Sequence, residues 1–270
     1  LGLWGLFEGR YGRAFYVTFD RELLAFFVPL MSVVVFHIVE HIVRQGRAGP
    51  HVKTSILVIG AMNMGLSLAL STFLLLPFVM FLAPYQVFSF AQWDVPVWVS
   101  FIAALLFLDF AGYISHRLHH TIPILWRLHR LHHSDREVDA MTTLLHHPLE
   151  YVSSFGLSIF VAVLFDVPLI VLSVTALLTG LHGGFSHVRT PLPEKLNAWL
   201  SRLIVTPNYH HLHHSLDMRL GNSNFAVLLP IWDYLGGTAS APQKQPQYGI
   251  AEPQSPPTTG VVSYLGNPLR

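Results

Sequence analysis

Cysteine is absent from the 270 residues. That excludes disulfides, thiolate metal sites and Cys-held iron–sulfur clusters, so any metal must be held by nitrogen and oxygen. Charge is scarce as well. Lys, Arg, Asp and Glu make up 11% of the chain, against roughly 25% in an average soluble domain, too few to cover a soluble surface comfortably. The net charge of +1 lacks the basic bias expected of a nucleic-acid binder. Glu8, Arg10 and Arg13 interrupt the opening stretch and no small-residue cleavage site follows an apolar core, so no signal peptide is read there. There is no flavin or nicotinamide fingerprint and no fused haem domain.

What is present is apolar sequence, 52% of the residues, and histidine, 17 of them. Three stretches read as membrane spans: Leu23–Ile42, Ser55–Leu82 and Trp98–Ser115, each near or above the roughly 18–20 residues that cross a bilayer. A fourth apolar region, Val152–Leu181, carries Asp166 and Pro168 near its middle. Its two arms of about 13 residues are short for a full crossing, which suits a hairpin that returns the chain to the face it left. Arg44, Arg47 and Lys53 lie between the first two spans, and Arg117, Arg127, Arg130 and Arg136 follow the third. By the positive-inside rule these segments face the cytoplasm, with Arg10, Arg13 and Arg21 as a minority on the other side. The expected architecture is an all-α polytopic membrane protein with a cytoplasm-facing helical cap. Residues 1–97 supply N-terminal spans and loops, 98–240 the histidine-bearing domain with a hydrophobic hairpin at 152–181, and 241–270 an extended tail rich in Pro, Gln and Gly.

Fourteen of the histidines lie between His116 and His214. A pattern HxxHH recurs as His116-Arg-Leu-His119-His120, His129-Arg-Leu-His132-His133 and His210-His211-Leu-His213-His214, where the last adds one histidine. On a helix, residues i and i+3 or i+4 share a face, so each cluster can aim two imidazoles at one point. The adjacent third ring points about 100° away and can reach a second metal. One or two histidines near a membrane surface are ordinary interfacial groups. Three such clusters in one chain call for a metal site, since imidazole is the commonest protein metal ligand. Asp109, Tyr113, His116 and His120 form one helical stripe. Asp109, a carboxylate inside a span, is read as accepting a hydrogen bond from a ligand histidine.

These motifs resemble the fatty acid hydroxylase/sterol desaturase superfamily: Asp109…Tyr113…His116-Arg…His120, Trp126…His129…His132-His133-Ser134, Thr143…His147-Pro148…Glu150, Thr206-Pro207…His210…His213-His214-Ser215 and Trp232-Asp233…Gly237-Thr238. The likeness runs from about residue 100 to 238. It implies His116, His120, His129, His132, His133, His187, His210, His213 and His214 as ligands of two metal ions, with His182 a tenth. It also implies Asp109, Tyr113, His147 and Asp233 as supporting residues, and His119, His146 and His211 as bystanders. Leu145 stands where an Arg often precedes the family's His-Pro element. The implied chemistry is O₂-dependent hydroxylation or desaturation of a lipid such as a sterol, fatty acyl chain or carotenoid. It would use two iron ions and electrons from a separate carrier protein. Imidazole alone would also accept zinc, copper or nickel. Compact size and absent cysteine point to a bacterial inner membrane rather than an endoplasmic reticulum. Two rival readings are weaker. A zinc peptidase on His37-Ile-Val-Glu40-His41 explains none of the later clusters. A metal transporter would place its ligands midway through spans rather than beyond Ser115.

Overall fold

The computed structural model describes residues 28, 30–40, 42, 53–70, 73, 81, 96–165, 167, 169–241, 247–250 and 261. Among them the regular elements are helices, and an isolated antiparallel bridge joins Ser215 to Tyr248. In chain order they are α1 (Leu30–Glu40), α2 (Thr54–Leu70), α3 (Val97–Thr121), α4 (Pro123–His133), a 3₁₀ turn (Ala140–Leu144), α5 (Pro148–Leu164), α6 (Leu169–Ser186), α7 (Glu194–Leu200), α8 (Pro207–His213), α9 (Met218–Gly221) and α10 (Ile231–Gly236).

The axis is α3. Its 25 residues span about 37 Å at the α-helical rise. Among the described residues its stretch Trp98–Thr121 alone is long and apolar enough to cross a membrane. The polytopic expectation is thus reduced here: α1 and α2 are apolar but shorter, and most of the rest of those two expected spans lies outside the described residues.

A proline corner and a later reversal bend the chain around this axis. Pro123 biases Ile122 to extended backbone (φ −96°, ψ 117°), as expected of a residue before proline. Pro123 then opens α4, where its missing N–H costs no helical bond. One residue therefore turns the corner and sets α4 against the end of α3. At the later break, Asp166 and Pro168 lie outside the described residues, but the helices on either side show the path. Ser115 Oγ lies 3.2 Å from Ser154 Oγ, and Phe107 stacks on Phe165 at 4.6 Å. α5 therefore runs back along α3, away from its histidine end. α6 returns, with Val171 packed near Ala104 and His187 beside His132.

Around this frame the core is assembled from Val33, Ile56, Ile59, Leu131, Met141 and Leu145, which joins α1, α2, α4 and the 3₁₀ turn. Glycines allow close approach between these helices and their neighbours. A Cβ on Gly60 would meet Leu144 at 3.1 Å, and one on Gly184 would meet Phe36 at 3.1 Å. Lys53 Nζ bonds Asp135 at 2.6 Å and Asp139 at 3.2 Å, tying the start of α2 to the loop after α4. Asp139 also caps the 3₁₀ turn through the Met141 N–H.

Candidate metal centre

A neutral imidazole has one N–H and one lone pair, so the group that accepts the N–H decides where the lone pair points. Four histidines of one group have Nδ1 facing an oxygen. His116 donates to the Phe225 carbonyl at 2.8 Å, His213 to the Ser223 carbonyl at 2.8 Å, His129 to Glu150 Oε1 at 2.7 Å and His120 to Asn222 Oδ1 at 3.2 Å. Each is therefore held with an unprotonated Nε2. His116 and His129 bring these atoms to 3.1 Å. His133 Nε2 lies 3.1 Å from those of His120 and His129. Between His116 and His129 neither nitrogen has a proton to share, so their contact sets lone pair against lone pair. A cation among them removes that repulsion, and an all-imidazole donor set suits a first-row transition metal or zinc. The residues fit a metal ion.

A second group lies beside the first. His187 donates Nδ1–H to the Gly183 carbonyl at 2.8 Å. Its Nε2 stands 3.1, 3.0 and 3.2 Å from those of His132, His210 and His214. Within each set, His116, His120, His129, His133 and His213, or His132, His187, His210 and His214, the ligand atoms lie within 4.8 Å of one another. The helical pattern explains the sorting. His129 and His133 (i, i+4) join the first group and the intervening His132 the second. His210 and His214 join the second and His213 the first. Each of these clusters thereby serves both groups, which binds the two into one unit.

Electrostatics keep the rings competent. Burial, reinforced by neighbouring imidazoles, holds His132, His133, His210, His213 and His214 well below the usual histidine pKa, and His187 is lowered to about 3. At neutral pH these are uncharged, as ligation requires. For Glu150 burial opposes the charge, yet His146 and His129 hold the carboxyl well below the usual range. Its Oε1 accepts from both, at 2.8 and 2.7 Å, making a further cluster of His129, His146 and Glu150.

Residues 101–238, just over half of the chain, match the family model described as fatty acid hydroxylase. The chain belongs to the fatty acid hydroxylase family. It is 29% identical over 175 residues to an alkylglycerol monooxygenase of Homo sapiens, covering 63% of this chain and 36% of that protein. It is 30% identical over 153 residues to the ornithine lipid hydroxylase OlsE of Rhizobium tropici, covering 57% and 45%. The very-long-chain aldehyde decarbonylase CER1 of Arabidopsis thaliana is 27% identical over 146 residues, covering 48% and 22%. The alignments thus span less than half the length of these relatives. No solved structure matches the chain.

Within this hydroxylase-family chain, several sequence expectations fall differently. His182 joins neither group; its Nε2 donates to the Val205 carbonyl at 2.7 Å. Asp109 bonds no histidine among the described residues. It accepts instead from the backbone of Leu228 and Leu229 at 2.9 and 3.0 Å and from Trp232 Nε1 at 2.8 Å, clamping the chain before α10 to α3. Asp233 accepts from the Phe225 and Ala226 N–H groups, both at 2.8 Å, and so holds the segment whose carbonyl receives His116. Tyr113 OH meets Thr238 Oγ1 at 3.2 Å. His147 Nδ1 accepts from the Leu149 N–H at 3.2 Å. Of the expected bystanders, His119 is tied to the Ser115 carbonyl and Ser153 and His211 to Tyr248, but His146 stacks on His132 at 4.2 Å and shares Glu150. Glu40 accepts from the Arg189 backbone N–H, and His41 lies outside the described residues.

Sequence reading missed the turn at 222–225. Asn222, Ser223 and Phe225 each supply the acceptor for one histidine of the first group. Two of those acceptors are backbone carbonyls, which no residue type announces. Asn224, in the left-handed region at φ 57°, was the available signal, because asparagine tolerates that backbone. Its amide bonds the Tyr209 and Ser240 carbonyls at 2.9 and 3.1 Å.

Proposed function

We propose that this chain is a membrane-bound oxidoreductase that uses O₂ and two iron ions to hydroxylate or desaturate a C–H bond of a lipid. The observation that carries the reading is the convergence of imidazole Nε2 atoms in two adjoining groups, five of them left unprotonated because Nδ1 donates to an oxygen. In this reading His116, His120, His129, His133 and His213 hold one ion, and His132, His187, His210 and His214 hold the other. When bound, the irons supply O₂ activation and C–H oxidation, with electrons from a separate protein donor. The chain's own residues do the rest. Carbonyls of Phe225 and Ser223 and the Glu150 carboxylate fix ring orientation, as partners of ligand histidines do in metal sites. Burial of the rings keeps bulk water from the reacting atoms.

Residues 98–240 form the catalytic domain in this account. α3 crosses the bilayer, with the α5–α6 hairpin and the N-terminal segments completing a multi-pass anchor and the histidine end facing the cytoplasm of a bacterial inner membrane. The names of the relatives, which refer to alkylglycerols, an ornithine lipid and very-long-chain aldehydes, support a substrate with a long apolar chain. Expressing the chain in a lipid-producing host under ¹⁸O₂ tests the reading. One lipid class should gain a single ¹⁸O, or lose two hydrogens, only when the chain is present. Unchanged lipids from cells whose protein is folded, iron-loaded and supplied with reductant would overturn it.

A further inference from the structure

The second half of the cap leaves an apolar face uncovered. Leu196 and Trp199 on α7, and Leu203 in the turn just after it, are exposed. On α10, Ile231, Tyr234 and Leu235 are exposed, Leu235 by 74%. The two helices border one pocket of about 230 Å³ lined by Ser201, Arg202, Tyr234 and Ser240, among others. Arg202 is the one cation of that lining, which also includes Ala198, Ala239 and Ala241.

The position of this face says what covers it. α10 is fastened to α3 by the Trp232–Asp109 bond of 2.8 Å, and the Trp232 ring packs on Phe110 at 5.0 Å. Phe110 stands about 16 Å along the axis from the histidine end of α3. It belongs to an outward stripe with Trp98, Ile102 and Leu106, all exposed. The exposed side of α10 therefore adjoins the apolar face of α3, which among the described residues is the helix long enough to cross a bilayer. Aromatic residues at the rim and an arginine whose stem can lie along apolar surface are the composition of a membrane–water interface.

We propose that the α7–α10 face lies against a phospholipid bilayer beside α3, with Trp199, Tyr234 and Leu235 among the acyl chains and Arg202 reaching the lipid phosphates. The cap is then held against the membrane at a second place, beside the anchor, with the pocket between α7 and α10 opening toward lipid. This rests on the reading that α3 spans the membrane. The test uses the full chain in phosphatidylcholine nanodiscs. Because the chain has no cysteine, single spin labels can be placed by Ile102→Cys, Trp199→Cys, Leu235→Cys, Arg202→Cys and Arg219→Cys; the Arg219 side chain is 90% exposed. Dissolved O₂ should relax labels at 102, 199 and 235 more than a soluble nickel chelate does. The label at 219 should show the reverse, and that at 202 an intermediate ratio. Labels at 199 and 235 as open to the chelate as that at 219, with 102 in lipid, would overturn the inference alone. A label at 102 open to the chelate would instead overturn the membrane reading of α3. Unchanged circular dichroism identifies variants that have kept the fold.

Discussion

Glu150 Oε1 receives two imidazole N–H groups, from His129 and His146, and so joins a ring of the first group to one stacked on the second. Glu150→Gln removes the charge and leaves both donors facing a neutral amide. Partners of this kind change metal affinity by about 10- to 100-fold. The expected outcome is loss of affinity of that order for one of two bound ions, read by chelator competition on folded protein. Asn222→Ala should cost less, because His120 is only partly buried and water can replace the amide oxygen. Equal metal affinity in Glu150→Gln and wild type would refute the assignment. At this scale the sequence exposed much of the centre: nine of the ten expected histidines fall in the two groups. It exposed less of their supports. Glu150 stood within a quoted motif without a role, and Asp109 was read toward a histidine when its partners are two backbone amides and an indole.

Helices carry the sorting of rings between groups, and their relative placement depends on connections. The HxxHH spacing is legible because helical periodicity acts over one turn. The pairing of His116 with His129 and of His120 with His133 depends on the Ile122-Pro123 corner, where a local proline rule makes the turn but not its direction. The turn at 222–225 depends on Asp233, eight residues beyond Phe225, and on the distant Asp109, which holds Leu228 and Leu229, and no periodicity announces it. Asp109→Asn tests the clamp. The amide must turn an N–H toward at least one of the three donors that the carboxylate accepts, a cost of about 2 kcal/mol. A lowered melting temperature with near-normal metal affinity is expected from calorimetry and chelator competition. An unshifted melting temperature would mean that the clamp does not hold the segment.

Taken whole, the molecule sets a polar histidine cluster at one end of an apolar frame, and composition alone pointed to that contrast. Fold class followed from apolar runs and histidine periodicity. The number of crossings did not, because α1, α2, α5 and α6 are each shorter than α3, and length is the main evidence a single chain offers. Both ends of the α5–α6 hairpin meet the centre, Glu150 at its start and His187 just past its close, so the frame and the ligand set depend on each other. The central claim is that two groups of imidazoles hold two ions at adjoining positions. Mössbauer spectroscopy and elemental analysis of ⁵⁷Fe-loaded protein test it most directly. The account predicts two irons per folded chain, magnetically coupled; a folded wild-type chain that binds one ion or none would contradict it.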